Sequence, residues 1–213
     1  MNTKFLLLLT ALTWTATSNL CLAGKGVELT PTIAKPGKLR VEDSFATAEL
    51  GKTWTVAKGE WVVRDGALAG RMKKEDNHPA VFILTQPNRN SIIRLSFKLE
   101  NAKAFSLSYN SAKGHLFRVS VASDGLTILK DKDKKVADSK GLVLGQADVK
   151  FDKGQWYTML VEVKGDKLAV QTDNGVKIEA SNPELDVDKT GYRFVTPGES
   201  LLLDDIKVWE VAP

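Results

Sequence analysis

Cysteine is almost absent from the 213-residue chain: Cys21 is the only one, and it lies in the apolar N-terminal segment. The rest of the chain therefore has no disulfide framework, no thiolate metal site and no cysteine nucleophile, and a core must hold it together. Histidine is nearly as scarce, so any imidazole chemistry rests on His78 or His115. An excess of one charge is also missing. The formal net charge is +4, and removing residues 1–23 takes away only Lys4, which leaves +3 (4 − 1). A weakly basic chain with its charges mixed along the sequence gives no footprint for nucleic acid. Only one long apolar run is present, "FLLLLTALTWTA", and it is short of the ~20 residues of a membrane span.

What is there begins with that run. Lys4 precedes it, and "CLA" places Cys21 at −3 and Ala23 at −1 of a cut before Gly24. Leu20 before the cysteine argues against a lipoprotein signal. The expectation is a signal peptide over 1–23 and a secreted or periplasmic chain without a membrane span. Residues 24–40, with two prolines and three glycines in "GKGVELTPTIAKPGK", read as a linker or a loosely docked N-terminal arm. Residues 41–213 follow as one domain of ~170 residues, enough for a sizeable core.

Turn signals recur every eight to twelve residues, among them Asp65-Gly66, Asp124-Gly125 and Asn174-Gly175. Short alternating runs lie between them, and no segment keeps a helical period. This spacing predicts an all-β, two-sheet antiparallel jelly-roll sandwich. Alternation sorts the faces. Ile93, Leu95, Phe97 and Leu99 point one way in "SIIRLSFKLE", as do Phe105, Leu107 and Tyr109 in "FSLSYN", and Tyr157, Met159, Val161 and Val163 in "WYTMLVEV". Phe97, Leu107, Phe117, Met159 and Val161 are predicted to share one core. If these strands neighbour one another, Arg94, Ser96, Ser106, Ser108, Asn110, Arg118, Ser120, Thr158 and Glu162 form one polar surface, with Trp156 near its end. The run "KDKDKK" (130–135) reads as a solvated hairpin tip.

"WTVAKGEWVVRDGALAG", "DNHPAVF", "FSLSYNSAKGHLFRVSV", "GQWYTMLVEVKGDKLAV" and "LLLDDIKVWE" together resemble secreted bacterial concanavalin A-like jelly rolls. The sequence is most similar to the 3-keto-disaccharide hydrolase domain family, over roughly residues 42–210. The resemblance implies a carbohydrate partner and, for active members, cleavage of sugars that carry a ketone at C3. The E-x-D-x-x-E pattern of jelly-roll glucanases is absent. Glu162 and Asp166 match in parity, but Asp166 belongs to the following turn, so a paired-carboxylate mechanism is disfavoured.

A C3 ketone acidifies the proton on C2, so one base and one enolate-stabilising group suffice for elimination. His78, after Glu75, Asp76 and Asn77, is the candidate base or metal-sharing residue, against the plainer reading of a loop histidine that caps backbone groups. His115 opens a strand on the apolar-face parity and reads as a half-buried histidine. Arg94, Ser106, Ser108, Asn110, Arg118, Trp156 and Glu162 are the candidate sugar-binding set: short hydroxyls leave room and the arginines supply planar donors. Trp54 and Trp61 are expected in the core. Asp43, Asp204 and Asp205 could converge on a structural Ca2+, against the plainer reading of turn and surface aspartates. Two further readings stay open: a non-catalytic carbohydrate-binding or adhesion module, and an envelope structural domain.

Overall fold

The turn residues cut the chain where the alternation stops. The computed structural model describes residues 28–133 and 135–213; the leader expected over 1–23 lies outside them. Fifteen strands follow in order, beginning with β1 (Pro36–Asp43), β2 (Trp54–Lys58), β3 (Glu60–Arg64), β4 (Ala67–Arg71) and β5 (Ala80–Leu84). Then come β6 (Ser91–Ala102), β7 (Ala104–Ser111), β8 (Gly114–Ala122), β9 (Gly125–Lys130) and β10 (Leu142–Asp148). The last are β11 (Trp156–Lys164), β12 (Lys167–Thr172), β13 (Lys177–Ser181), β14 (Lys189–Thr196) and β15 (Gly198–Val211). Single 3-10 turns at Lys74–Asp76 and Pro183–Leu185 are the only helical pieces among the described residues. At the tip of the β3–β4 hairpin Asp65 and Gly66 both take positive φ (53° and 73°), the twist that a tight two-residue hairpin needs.

The strands form two antiparallel sheets, as the alternation predicts. An eight-stranded sheet runs β13-β12-β11-β6-β15-β4-β3, with β1 also paired to β15. A seven-stranded sheet runs β10-β9-β8-β7-β14-β5-β2. The long strand β15 shares one edge between two partners: Leu201–Leu203 pair with β4, and the stretch after the Asp204–Lys207 irregularity pairs with β1. Between the sheets lies one apolar core. Phe97, Leu107, Phe117, Met159 and Val161 are all fully buried in it, as the face assignment requires. Trp54 and Trp61 are buried as expected and stack on Phe82 at 4.8 and 5.2 Å. Trp61 lies over Gly70 of β4, where an added Cβ would come within 2.3 Å of the ring.

Two expectations are corrected here. The four polar strand faces do not merge. β6 and β11 lie in the eight-stranded sheet and β7 and β8 in the seven-stranded one, so their polar faces look outward on opposite sides. The chain crosses between sheets at Lys103, a single residue between β6 and β7. Alternation separates inside from outside but carries no information about which sheet a strand joins. The N-terminal arm is likewise neither loose nor a linker over its described length. β1 begins at Pro36, ahead of the expected boundary at 41, and residues 32–34 are bound to the eight-stranded sheet through Glu162.

Candidate functional site

The outward face of the seven-stranded sheet is built from the polar positions of β7, β8 and β14. Strand pairing sets Arg193 beside Ser108 and Ser108 beside Arg118, and in the next row Val195, Ser106 and Ser120. Ser106 and Ser120 hydroxyls share a hydrogen bond of 2.8 Å. Ser108 and Asn110 are buried although they face outward. The short side chains are therefore a floor under flanking arginines, not an open groove.

The end of this face is shaped by a β-bulge. Tyr109 pairs with Phe117 and Asn110 with His115, so Leu116 is an extra residue on β8. Leu116 and Phe117 are both buried in the core, and the slip turns His115 outward beside Asn110. This corrects the apolar-face placement of His115: a strict two-residue count across a bulge inverts every residue beyond it. The Leu116 carbonyl accepts from the Asp131 backbone N–H at 2.9 Å, which seats the Asp131 carboxylate 2.7 Å from Arg118 Nη1. Asp131 Oδ1 makes that ion pair, while Oδ2 is buried without a hydrogen-bond partner. Lys130 and Asp131 of the charged run are thus not part of a solvated tip, because Lys130 also pairs with Glu184 at 2.7 Å.

Asn110 links the bulge to β14. With its amide turned to satisfy its neighbours, Oδ1 accepts from Arg193 Nε at 2.7 Å and Nδ2 donates to His115 Nδ1 at 3.2 Å. Beside this group is a cleft of about 580 Å³, lined by His115, Leu116, Lys130, Asp131, Glu184 and Val187 among others. An acid, a histidine and arginines therefore meet at one end of the sheet. Arg193, Asp131 and the outward His115 were missed in the sequence. Arg193 shares its parity with Val195, opposite the buried Tyr192 and Phe194, and could have been found from that signal.

The other nominated residues lie elsewhere. His78 precedes β5, its exposed ring held by a 2.7 Å hydrogen bond between Nδ1 and the Pro79 carbonyl. Ala80 is level with Thr196 and Asn110 with Gly191, so five residues of β14 (196 − 191), about 17 Å of strand, separate the two levels. His78 is therefore at the opposite end of the sheet from His115. Its neighbour Asp76 is committed, accepting from the Gly59 N–H at 2.6 Å.

Arg94, Trp156 and Glu162 lie on the outer face of the eight-stranded sheet, apart from Asn110 and Arg118. Glu162 is fully buried, and its carboxylate accepts from the backbone N–H groups of Thr32, Ile33 and Ala34 at 2.8, 3.0 and 2.9 Å. It anchors the arm and is closed to a ligand. Trp156 is half-buried, with Lys98 Nζ 5.2 Å from its ring centroid, so one face of the platform is covered. Arg94 forms an ion pair with Asp205.

The pairing of β1 with β15 does bring Asp43 opposite Ile206, near Asp204 and Asp205. Their carboxylates do not fit a Ca2+ site, however. Asp43 accepts from Phe45 N and Trp54 Nε1 at 2.9 and 2.8 Å, and Asp205 faces Arg94 and Lys207. Burial, then the charges of Asp205 and Asp43, push the Asp204 carboxyl above its ordinary range. Among the described residues no three His, Asp or Glu side chains form a group that could hold a metal ion.

Residues 43–199 match the family described as the 3-keto-alpha-glucoside-1,2-lyase-like domain. The chain belongs to this family. A comparison with curated protein sequences returned no match. Among solved structures, the carbohydrate-binding module CBM66 of Bacillus subtilis is similar, with TM-score 0.61, 14% identity, 74% of this chain and 96% of that one. An endo-β-1,3-glucanase of Pyrococcus furiosus aligns with TM-score 0.61 and 12% identity over 82% of this chain and 95% of that one. A GlcNAcα1-4Gal-releasing endo-β-galactosidase of Clostridium perfringens aligns with TM-score 0.62 and 12% identity over 88% of this chain and 65% of that one. At these identities the likeness shows the fold alone: a concanavalin A-like jelly roll. The domain is of a carbohydrate-active kind, and no helix among the described residues is long and apolar enough to cross a membrane.

Proposed function

We propose that this family member is exported and binds glycosides oxidised at C3 on the outward face of its seven-stranded sheet, where it eliminates the group at C1. The observation that carries this reading is the meeting of Arg118, Arg193, Asn110, His115 and Asp131 beside one cleft, in a chain that matches the lyase-like family over 43–199. Arg118 and Arg193 hold sugar oxygens with planar donors, over the floor of Ser106, Ser108 and Ser120. The base removes the C2 proton, the electron pair moves onto the ketone oxygen as an enolate, and its return expels the C1 oxygen, which takes up a proton. Asp131, which lines the cleft and is held by its ion pair with Arg118, supplies the proton acceptor in place of His78. The arginines stabilise the enolate, where charge develops in the transition state.

The test uses the 3-keto derivative of 4-nitrophenyl α-D-glucopyranoside and follows nitrophenol release. Asp131→Asn should lower turnover by at least about a hundredfold, the range of a lost general base. Arg118→Ala should weaken binding of the same probe about tenfold or more. Unchanged affinity in Arg118→Ala would remove this face from consideration. A second reading, a non-catalytic sugar-binding module, draws support from the remoteness of His78 from this face's charged group. It predicts binding of the probe without nitrophenol release. Export is tested separately by N-terminal sequencing of secreted material, which should begin at Gly24.

A further inference from the structure

We infer that Arg193 receives a negative charge carried at C6 of the sugar, so that the ligands of this face are acidic glycosides, either uronides or 6-sulfates. The inference rests on the reading of this sheet face as the sugar face, with Asp131 as the proton acceptor. It starts from the arginines. Six of the seven form an ion pair with an aspartate or glutamate, Arg118 with Asp131 among them. Arg193 is the exception. Its Nε donates to Asn110 Oδ1 at 2.7 Å, a neutral acceptor, and its Nη1 and Nη2 groups meet no acceptor among the described residues. Residues 1–27 and Lys134, which lie outside them, include no aspartate or glutamate, so no part of the chain supplies the missing carboxylate.

Arg193 is half-buried on β14, and the strand positions around it carry no acid. Ile83 flanks it on β5 and Ser108 on β7, and the next outward row runs Val195, Ser106, Ser120 and Thr127. The centre of the face thus holds two guanidinium groups and one carboxylate, that of Asp131 beside Arg118. A partly desolvated cation is costly unless an anion meets it. A guanidinium with Nη1 and Nη2 open presents a planar fork that matches the paired oxygens of a carboxylate or sulfate. The place of that anion on the ligand follows from the ring. Arg193 and Arg118 flank Ser108 across two strand spacings, ~10 Å. In a pyranose the atom opposite C2 is C5, whose substituent is C6. With C2 turned toward Asp131 on the Arg118 side, a C6 carboxylate or sulfate points to Arg193.

Calorimetry on the full chain compares the 3-keto derivatives of methyl α-D-glucopyranoside, of the corresponding glucuronate and of the 6-sulfate. Methoxide leaves poorly, so binding is read ahead of elimination. The wild-type chain should bind at least one of the anionic sugars about tenfold or more tightly than the neutral one, the worth of a charge-assisted hydrogen bond. That ratio should shrink as salt rises from about 50 to about 500 mM. A preference for the glucuronate alone assigns uronides, for the sulfate alone sulfated sugars, and for both any anion at C6. Arg193→Gln, which removes the charge, should bring the ratio to about one. If that variant fails to fold, the wild-type ratio and its salt dependence still decide. A wild-type chain that binds all three sugars equally, or a ratio that survives Arg193→Gln, overturns this inference and leaves the sugar face standing. A wild-type chain that binds none of the three overturns the face and the inference with it.

Discussion

Lys189 and Glu162 show how far a single charged residue can be from its apparent role. Each sits at a strand position that reads as solvent-facing, and each is buried. Lys189 Nζ donates to the carbonyls of Arg89, Leu185 and Val187 at 2.7, 2.9 and 2.9 Å and so ties the turn before β14 to the β5–β6 connection. Burial pulls its ammonium down from 10.5 to about 8, against the pull of Asp186. The folded chain then gives up this proton at a lower pH than the unfolded chain. Between about pH 8 and 10.5 the unfolded state binds more protons, so stability should rise with pH through that window and be lost again as pH falls through 8. At about 1.4 kcal/mol per pKa unit the gain is at most roughly 3.5 kcal/mol. Urea melts across the window should show it in the wild type, and Lys189→Met should flatten it. Glu162 predicts a different outcome. Glu162→Ala leaves three arm N–H groups without their acceptor, each costing about 1–3 kcal/mol if it stays buried. The cheaper response is release of the arm, so limited proteolysis should cut near residues 30–34 in the variant and spare the wild type.

At the scale of the element, alternation carries most of the information and fails at its interruptions. The inward rows of β6, β7 and β11 were legible because a half-buried strand repeats every two residues. Phe97, touching Phe105, Phe151 and Tyr157 at 5.6, 5.7 and 5.8 Å, should cost about 3–5 kcal/mol when cut to alanine, measured by chemical denaturation. The bulge at Leu116 was not legible. "GHLFRV" reads as a regular strand whichever of its residues is left unpaired, and the choice depends on Tyr109 finding Phe117 as its partner, at 4.3 Å ring to ring. The same holds for Asp204-Asp205, where a positive φ of 47° at Asp205 marks the break in β15 between its two partners. Gly191 on β14 is a further local requirement: an added Cβ would fall 2.2 Å from the Leu84 carbonyl oxygen. Gly191→Ala should therefore destabilise the sheet next to Asn110 and raise the apparent Kd for sugar together with the loss of stability.

On the whole-molecule scale the two sheets turn the candidate residues into two separate surfaces. Arg94 with Asp205 belongs to one and Arg118 with Asp131 to the other, with the apolar core between them. Sites so far apart should act independently. Arg94→Ala should keep affinity for the 3-keto probe within about twofold, whereas Arg118→Ala should not; equal losses in both would mean that ligand binding is coupled through the core. By itself the sequence determined that the chain is all-β, where many of its turns fall, which residues of β6, β7 and β11 face inward, and which family it joins. These properties depend on neighbours in the chain: a two-residue repeat, a turn dipeptide, a motif. The tertiary structure alone decided which sheet each strand entered, that Glu162 holds the arm, that His78 and His115 lie at opposite ends of one sheet, and that Arg193 and Asp131 complete the group around His115. Those facts depend on hydrogen-bond partners far away in sequence, and the same alternating pattern is compatible with either sheet until the partners are chosen.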